Sequence, residues 1–314
     1  MKATVDVDGH PLTLTNLPKV LYPVAHFTKA EVIDYYRQIA PVLVPHLQDR
    51  PLTLKRYPNG VEQMFFFEKN AGRSTPAWVK TVGIWGEGRG EELQYILCND
   101  AATLIYVANL AALELHPALA RTPKLESPTM VVFDLDPGPP AELSTCCKAA
   151  VLLREYFEHA GLESVAKTSG NKGLQLYVPL NSPTTYEHTK GWARGVAEHF
   201  EARFPELFVS EMKKSVRAGK VFVDWSQNDA NKTTISVYSL RARERPTVSA
   251  PVSWQEIEMV AQSGDASGLV FEARQLLERV RARGDLFAPA LTLKQLLPVS
   301  PRVETKKRAR SAVR

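Results

Sequence analysis

The stretch VVFDLDP at residues 131–137 combines an apolar run of strand length with two acids at its end. Side chains alternate between the two faces of a strand, so Asp134 and Asp136 are predicted to point the same way. Two ionised carboxylates held side by side repel each other, and a hard divalent cation such as Mg²⁺ or Mn²⁺ relieves that repulsion. The stretch therefore predicts a strand that carries a metal site, with an ordinary strand-end turn, where Asp is common, as the alternative.

A second apolar run, VFVD at residues 221–224, also ends in an acid, Asp224. Taken alone, a strand-terminal acid is the simpler interpretation. Taken with Asp134 and Asp136, it offers the third carboxylate of a two-metal site for phosphoryl transfer. In such a site one ion activates the attacking oxygen and both ions stabilise the charge at phosphorus.

A glycine-containing segment, KTSGNKGLQ at residues 167–175, lies between two predicted strands. Backbone N–H groups in a tight glycine turn form a cradle for an anion, and Lys172 adds a point charge. The spacing differs from the G-x-x-x-x-G-K phosphate loop. An ordinary hairpin turn is the alternative.

Basic residues lie on both sides of the third acid in the sequence, at Arg217, Lys220, Arg241 and Arg243. Cations beside three carboxylates fit a triphosphate site, although ordinary charge balance on a surface gives the same pattern. His116 precedes Pro117, and a single histidine of this kind is more often structural than catalytic.

Basic and aromatic residues are interleaved near the N-terminus, where Lys19, Lys29, Lys55, Arg56 and Lys69 alternate with Tyr22, Tyr57, Phe65, Phe66 and Phe67. This mixture is typical of single-stranded nucleic-acid binding, because cations meet phosphates and rings stack on bases. In the alternative, the rings belong to the core and the lysines are solvated. Strand alternation predicts that Phe65 and one neighbour are buried.

Helical and strand patterns alternate irregularly along the chain. Helices are predicted at 28–48, 141–160, 185–204 and 270–283, strands at 51–57, 64–67, 221–224 and 234–240, and hairpins at 79–97 and 164–180. Thr28 and Glu31 predict a capping box at the first helix. Irregular alternation with hairpins favours a mixed-sheet α+β fold over a doubly wound one.

The composition is that of a globular protein, with 44% hydrophobic and 23% charged residues in 314. It excludes a disordered, collagen-like or coiled-coil chain. The three cysteines lack metal-ligand spacing and predict free thiols in a reducing cytoplasm. No apolar stretch is long enough for a membrane span.

The net charge of +5 comes from the C-terminus, where residues 301–314 hold six basic residues and one acid. Residues 1–300 are therefore neutral overall. An anion-binding surface on the folded body must come from local clustering rather than from a general excess of positive charge.

Seven ordered blocks of the sequence resemble the polymerase domain of bacterial ligase D, in the archaeo-eukaryotic primase superfamily. They are LTNLPKVLYP at 14–23, TLKRYPNGVEQMFFFEK at 53–69, LELHP at 113–117, VVFDLDPG at 131–138, KTSGNKGLQLYVPL at 167–180, SVRAGKVFVDWSQN at 215–228 and KTTISVYSLRAR at 232–243. The resemblance implies an α+β primase-polymerase fold. Its two mixed β-sheets, one RNA-recognition-like, are flanked by helices around an active-site cleft. The catalytic domain is expected at 1–298, followed by a basic, disordered tail at 299–314.

The resemblance also implies roles for individual residues. Asp134, Asp136 and Asp224 are expected to be catalytic and to bind two divalent ions, Mn²⁺ often being favoured over Mg²⁺. The incoming nucleotide is expected to contact His116, Ser169, Lys172, Gln175, Arg217 and Arg241. Lys19 and Lys29 match a pocket for a downstream 5′-phosphate. Phe66 and Phe67 match an aromatic pair beside the template, with Lys55 and Arg56 on the same surface.

The function implied is a template-directed nucleotidyltransferase that extends or fills DNA ends and short gaps in double-strand-break repair by non-homologous end joining, and that accepts or prefers ribonucleotides. Its expected partners are DNA with 5′-phosphate ends or gaps, nucleoside triphosphates, Ku and a DNA ligase, in the cytoplasm and at the nucleoid of a bacterium, with no membrane. Two alternatives stay open: a primase that starts chains de novo, and a catalytically weak module that binds 5′-phosphorylated DNA ends.

One position departs from the family pattern. The phosphate turn of the family usually ends in Leu-His, whereas this chain has Leu174-Gln175. Gln donates a hydrogen bond but carries no positive charge and passes no proton. The departure bears on the strength of catalysis rather than on metal binding. Neither a ligase nor a nuclease domain is recognised within these 314 residues.

Overall fold

The computed structural model describes residues 2–86 and 90–300. Within them the helices are α1 Lys29–Leu47, α2 Ala101–Asn109, α3 Leu143–His159, α4 Tyr186–Arg203, α5 Trp254–Ser263, α6 Ala273–Arg283 and α7 Pro289–Thr292, with short 3₁₀ helices at Lys214–Val216, Trp225–Gln227 and Ser267–Leu269. None of the described helices is both long and apolar enough to cross a membrane. The predicted basic tail falls almost entirely on residues 301–314, outside the described ranges.

The described strands are β1 Lys2–Val7, β2 His10–Thr15, β3 Val20–Tyr22, β4 Phe27–Thr28, β5 Pro51–Arg56, β6 Phe66–Glu68, β7 Thr81–Gly86, β8 Glu91–Leu97, β9 Ala112–Pro117, β10 Ala120–Arg121, β11 Lys124–Pro128, β12 Met130–Pro137, β13 Val165–Thr168, β14 Leu174–Pro179, β15 Phe208–Val209, β16 Val221–Asp224 and β17 Pro251–Val252. Two larger sheets organise the molecule, and three two-stranded ribbons accompany them. The predicted α+β class is confirmed.

The six-stranded sheet has the order β15-β16-β12-β14-β13-β17. The β15–β16 pair is parallel and the other pairs are antiparallel. Alternation divides the central strand β12 between two cores. Val131, Phe133 and Leu135 pack into a core that includes buried residues of α3 and α4. Val132 packs into the other core, so Asp134 and Asp136 continue the face that looks towards the second sheet.

The second sheet has the order β6-β5-β8-β7, and β9 pairs with β5 on its other side. All its described pairings are antiparallel, whereas the six-stranded sheet includes the parallel β15–β16 pair. The β7–β8 pair is a local hairpin, and β5 also pairs with β8 and β9, which are distant from it in sequence. Buried residues of α1 and α2 belong to the core on this side of the molecule.

Local sequence signals fix most of the helix ends. Thr28 caps α1, its hydroxyl accepts from the N–H of Glu31, and the Glu31 carboxylate accepts from the N–H of Thr28, which confirms the predicted capping box. Gly161, with φ of +76°, follows the end of α3 where the prediction stopped that helix.

The predicted strand at 234–240 is wrong. This segment is irregular, and its N–H groups change partner along its length, since Thr234 and Ser236 donate to carbonyl oxygens of β9 whereas Tyr238 donates to Ser249 O. It forms one isolated bridge, between Leu240 and Val248. A segment that changes partner in this way has apolar residues like a strand but no continuous ladder.

Candidate active site

Four polar side chains form a row across the six-stranded sheet. Asp134 on β12 lies directly opposite Asp224 on β16 and, on its other side, opposite Gln175 on β14. Lys167 on β13 lies opposite Gln175 in turn. Directly paired residues share one face of a sheet, with Cβ atoms about 5 Å apart. Asp136 is two residues along β12 on that same face, so the three predicted acids are brought together.

The surroundings of the acids penalise their negative charge. Burial raises the pKa of Asp134 to about 7, and the nearby charge of Asp136 adds to this effect. Burial and repulsion from Asp224 likewise raise the pKa of Asp136, against the opposing influence of Arg217 and Arg241. Hard oxygen donors that repel one another at close range are the set that a divalent cation stabilises, so the residues fit such an ion.

The acids are not arranged as a closed metal site. Among residues 2–86 and 90–300, no three Asp, Glu, His or Cys side chains form a cluster ready to hold an ion. The Asp224 carboxylate is turned into the following 3₁₀ helix, where it accepts from Ser226 N at 2.9 Å and from Gln227 Nε2 at 2.8 Å. The number of ions and their ligands therefore stay predictions.

Sequence reasoning missed a polar chain behind Asp224. The Lys232 ammonium donates to Ser226 Oγ, and Ser226 Oγ donates to Asp224 Oδ1. The chain connects the segment 226–232 to the third acid and restricts the orientation of its carboxylate. The only sequence signal was proximity, since Ser226 follows Asp224 by two residues.

The glycine turn packs against the acids as a rigid loop. A Cβ on Gly173 would lie 2.4 Å from Leu135 O, and one on Gly170 would lie 2.6 Å from Arg241 Cγ. Ser169 Oγ accepts from Asn171 N at 3.2 Å and Gly173 N at 3.1 Å. These two amides serve the turn itself, so they are not part of the predicted anion cradle. Lys172 is exposed at the tip.

Arg217 lies next to Asp136, the last of the three acids along β12. Its guanidinium lies 3.5 Å from the centre of the Phe222 ring, and Phe222 is paired with Asp136 across β16 and β12. Gly138 makes this approach possible, because a Cβ there would collide with Arg217 O at 2.0 Å. The positive charge of Arg217 lowers the pKa of Asp136, against burial and the charge of Asp224.

Arg241 links the acids to the second sheet. Its charge acts on Asp136, and its Nη1 atom lies 3.7 Å from Glu114 Oε2 on β9. Glu114 Oε2 is also 3.0 Å from His116 Nε2, and Glu114 Oε1 is 3.8 Å from Lys55 Nζ. The predicted nucleotide ligands His116 and Arg241 are thus joined through one carboxylate.

Glu114 is a second residue that sequence reasoning missed. It is 2% exposed. Burial alone would raise its pKa, but the His116 hydrogen bond and the charges of Arg241, His116 and Lys55 lower it to about 2. The signal was available in LELHP at 113–117, because an acid inside an apolar strand requires a buried partner.

The aromatic and basic residues near the N-terminus are divided between two faces, which corrects their prediction as one surface. In the β5–β6 pair, Lys55 is opposite Phe67 whereas Arg56 is opposite Phe66. Neighbours along a strand point to opposite faces. Lys55 and Phe67 therefore share the face of Glu114, and Arg56 and Phe66 point away from it.

None of the three consecutive phenylalanines is buried, contrary to the prediction for Phe65. Phe65, Phe66 and Phe67 are 47%, 44% and 56% exposed. The strand β6 is short and lies at an edge of the second sheet, where the three rings stay partly open to solvent. Phe65 instead packs over the Lys55 ammonium, which lies 4.2 Å from its ring centre.

Lys19 and Lys29 lie side by side at the open end of the antiparallel β3–β4 ribbon, as the predicted fold-back requires. Lys19 Nζ donates to Asn59 Oδ1 at 2.6 Å, and Lys29 Nζ donates to Thr15 O at 2.7 Å. Burial and the charges of Lys19 and Arg56 lower the pKa of Lys29 to about 8. Arg56 thus belongs to this cationic group rather than to the face of Lys55.

The start of α1 adds no open amides to these lysines. Lys29 N donates to Lys19 O, Ala30 N donates to Leu17 O, and the Glu31 amide is taken by its cap, Thr28. A phosphate at this site would therefore be held by side-chain cations, not by free N–H groups of the helix terminus.

The chain is similar to known proteins over most of its length. Residues 28–287 match the family model described as LigD, primase-polymerase domain. The chain is 42% identical over 301 residues to the multifunctional non-homologous end joining protein LigD of Mycolicibacterium smegmatis, covering 95% of this chain and 38% of that protein. It is 34% identical over 277 residues to the bifunctional LigD of Bacillus subtilis, covering 88% of this chain and 43% of that protein.

A solved structure is similar throughout. It is the polymerase domain of Mycobacterium tuberculosis ligase D in complex with DNA, with a TM-score of 0.83 and 39% identity. The match covers 90% of this chain and 99% of that one. The chain thus spans about two fifths of the length of the curated relatives but nearly all of an isolated polymerase domain.

Proposed function

Because the chain belongs to the LigD primase-polymerase domain family, we propose that it is a template-directed nucleotidyltransferase that extends or fills DNA ends in double-strand-break repair. The observation that carries the proposal is the acid row of Asp134, Asp136 and Asp224, with Arg217 and Arg241 acting on it from two sides. Carboxylates facing guanidinium groups across a cleft fit a site for metal-bound triphosphate.

The reaction is attack of a primer 3′-hydroxyl oxygen on the α-phosphorus of a nucleoside triphosphate, with pyrophosphate leaving. Asp134, Asp136 and Asp224 would hold two divalent ions, Mn²⁺ or Mg²⁺, which when bound activate the attacking oxygen and stabilise charge at phosphorus. Arg217, Arg241 and Lys172 hold the triphosphate as cations. Ser169 shapes the turn that presents Lys172, and His116 is oriented by Glu114 towards the same nucleotide.

The two faces of the β5–β6 pair separate two contacts with DNA. Lys55 and Phe67 lie on the face of Glu114, beside the nucleotide ligands, and suit a template base by stacking and charge. Arg56 and Phe66 lie on the other face, where Arg56 acts on Lys29. Lys19, Lys29 and Arg56 form the site proposed for a downstream 5′-phosphate.

Substrate preference and partners extend the proposal. The enzyme uses ribonucleotides at least as readily as deoxyribonucleotides, and acts on ends and short gaps in the bacterial nucleoid. The relatives carry non-homologous end joining in their names and are more than twice as long as the matched region. Ligation is assigned to a DNA ligase, and recruitment to Ku.

A primer-extension assay tests the proposal. The substrate is a gapped duplex with a 5′-phosphate, supplied with Mn²⁺ and either ribonucleotides or deoxyribonucleotides. Asp136→Ala abolishes addition but leaves binding of the duplex nearly unchanged, because the acids hold nucleotide and not duplex. Asp34→Ala, an exposed acid on α1, is the matched control and extends normally. Near-normal extension by Asp136→Ala would remove the proposed mechanism.

The same assay separates the two rivals. Products formed from a template without any primer would identify a primase that starts chains de novo. Tight binding of 5′-phosphorylated ends with no extension by the unmutated chain, under Mn²⁺ or Mg²⁺, would identify an end-binding module.

A further inference from the structure

Lys167 is a buried cation whose two hydrogen-bond acceptors are neutral. It is 1% exposed on β13, and its Nζ atom donates to Gln175 Oε1 and, at 2.7 Å, to Ser249 Oγ. The Tyr177 ring centre lies 5.5 Å away. Burying an ammonium group among neutral partners is costly, and an apolar side chain of similar length would fill the same volume without that cost. Packing alone therefore gives no reason for a lysine here.

The lysine determines which way the Gln175 amide faces. Gln175 Oε1 accepts from Lys167 Nζ and from the Tyr177 hydroxyl at 3.2 Å, so its oxygen is fully engaged on that side. A flipped amide would lose both of these accepted hydrogen bonds and bring its NH₂ group against the N–H donors of Lys167. The amide nitrogen is therefore directed away from Lys167, towards Asp134, which lies directly opposite Gln175 in the register of β14 and β12.

We infer that Lys167 is a positioning residue of this site, which acts through Gln175 to fix the orientation of the Asp134 carboxylate. The inference rests on the proposed function. Asp134 is the middle carboxylate of the row and needs a defined direction to share a cation with Asp136 and Asp224. A donated hydrogen bond from an amide that is itself anchored supplies that direction, as outer ligands commonly do at metal sites.

The register of the sheet supports the inference independently of the individual hydrogen bonds. Lys167, Gln175, Asp134 and Asp224 occupy successive places across four neighbouring strands. The row therefore runs from cation through amide to carboxylates in one line. Ser249 anchors the far end, because its hydroxyl accepts from Lys167 and donates to Thr168 O at 2.9 Å.

The test compares Lys167→Met, Gln175→Leu and the double variant. Methionine keeps the length of the side chain and removes its donors. The first readout needs no activity: with ¹⁵N-glutamine labelling, the Gln175 amide signal is identified by its loss in Gln175→Leu. Its chemical shift and solvent exchange are then compared between the unmutated protein and Lys167→Met.

Two further measurements follow the site itself. Titration with Mn²⁺, followed by electron paramagnetic resonance, gives the ion affinity, and primer extension gives kcat and KM.

A partly buried cation on the other side of the six-stranded sheet serves as control. The Arg154 side chain on α3 is 29% exposed, donates to Glu158 Oε1 and Glu258 Oε1, and loses these interactions in Arg154→Met. Its variant is expected to lower the unfolding midpoint without changing Mn²⁺ affinity or the Gln175 signal. This comparison separates a loss of stability from a loss of orientation.

The inference predicts that Lys167→Met shifts the Gln175 amide signal, speeds its exchange and weakens Mn²⁺ binding by about tenfold, the lower range for such outer contacts. It predicts a fall in kcat rather than a rise in the KM for nucleotide, and no further loss when Lys167→Met is added to Gln175→Leu. An unchanged amide signal, or additive losses in the double variant, would overturn it. Failure of the unmutated chain to extend primers would instead reject the proposed function. The Gln175 amide signal would still test whether Lys167 orients that amide.

Discussion

A single buried carboxylate, Glu114, is shared by a histidine and two cationic side chains that the proposed reaction uses. His116 and Arg241 contact one oxygen of Glu114, and Lys55 contacts the other, at distances of 3.0 to 3.8 Å. Ala242 N also donates to this carboxylate, at 3.1 Å. Without Glu114, the positive charges of Lys55 and Arg241 would lie in one partly buried region with no carboxylate between them.

Glu114→Gln is expected to lower the free energy of unfolding by about 3 kcal/mol at pH 7, since removing one member of a buried ionic cluster leaves its partners uncompensated. The pKa of Glu114 is lowered from 4.5 to about 2, so its charge stabilises the fold fully above pH 4.5. The benefit is lost as the pH falls towards 2. Urea unfolding at several pH values measures this, with the exposed Glu126→Gln as control; a difference independent of pH would contradict the argument.

Residue types and local spacing predicted part of the site. The shared face of Asp134 and Asp136 required only strand geometry, and the acid that ends β16 required only an apolar run. The acid within LELHP signalled that Glu114 needs a buried partner, but which residues pair with Glu114 and with Lys167 could not be found this way, because the pairing comes from the register between strands distant in sequence. No local pattern encodes which residue will lie opposite another.

At the scale of the element, the turn between β13 and β14 owes its shape to close backbone packing. Gly170 has φ of +69°, a region that side chains other than glycine rarely adopt. A Cβ there would also lie 2.7 Å from Val248 O and 2.6 Å from Arg241 Cγ. The turn and the guanidinium that faces the acids are therefore positioned together.

Gly170→Ala is expected to cost about 2 kcal/mol of stability, in the range for a strained backbone conformation, and to raise the KM for nucleotide by displacing Arg241. Gly191→Ala is the matched control, because Gly191 lies in α4 with open space around its Cα. That exchange should be neutral or slightly stabilising. Thermal unfolding and primer extension check both variants, and equal behaviour of the two would show that the turn tolerates a side chain.

Elements with their own start and stop signals were predictable, and the others were not. The capping box at Thr28 and the glycine after α3 gave their helices directly. The segment 234–240 has the same apolar character as a strand, yet its N–H groups serve two different neighbours. Its structure is decided by tertiary contacts, which outweigh local propensity.

At the scale of the whole molecule, the net charge is concentrated at the C-terminal end of the sequence. The whole net charge of +5 is accounted for by residues 301–314, and the rest of the chain is neutral. We propose that local clusters at the three acids and at Lys19, Lys29 and Arg56 provide specific contacts. For residues 301–314 we expect an attraction to DNA that does not depend on its sequence.

Removal of residues 301–314 is expected to weaken binding to every duplex and to flatten the salt dependence of the binding constant. The logarithmic slope falls by about 0.9 for every phosphate that the shortened protein no longer neutralises. The choice of nucleotide should not change. A salt titration by fluorescence anisotropy measures the slope for the two chain lengths. Equal affinities across the titration would show that the tail does not bind DNA.

Recognition of a broken end is expected to depend on pH through Lys29. Its pKa is lowered to about 8 by burial and by the charges of Lys19 and Arg56, so the site carries its full charge below pH 8 and loses Lys29 above it. A 5′-phosphate, with a second pKa near 6, stays doubly charged across this range. A gapped duplex with a 5′-phosphate should therefore bind more tightly than its 5′-hydroxyl twin at pH 7, and the preference should decline towards pH 9.

Lys29→Arg keeps its charge and should preserve the preference at pH 9, whereas Lys19→Ala with Lys29→Ala should erase it at every pH. Equal affinity of the unmutated protein for the two duplexes at pH 7 would rule out the pocket, and a preference that stays constant to pH 9 would rule out Lys29 as its titrating group.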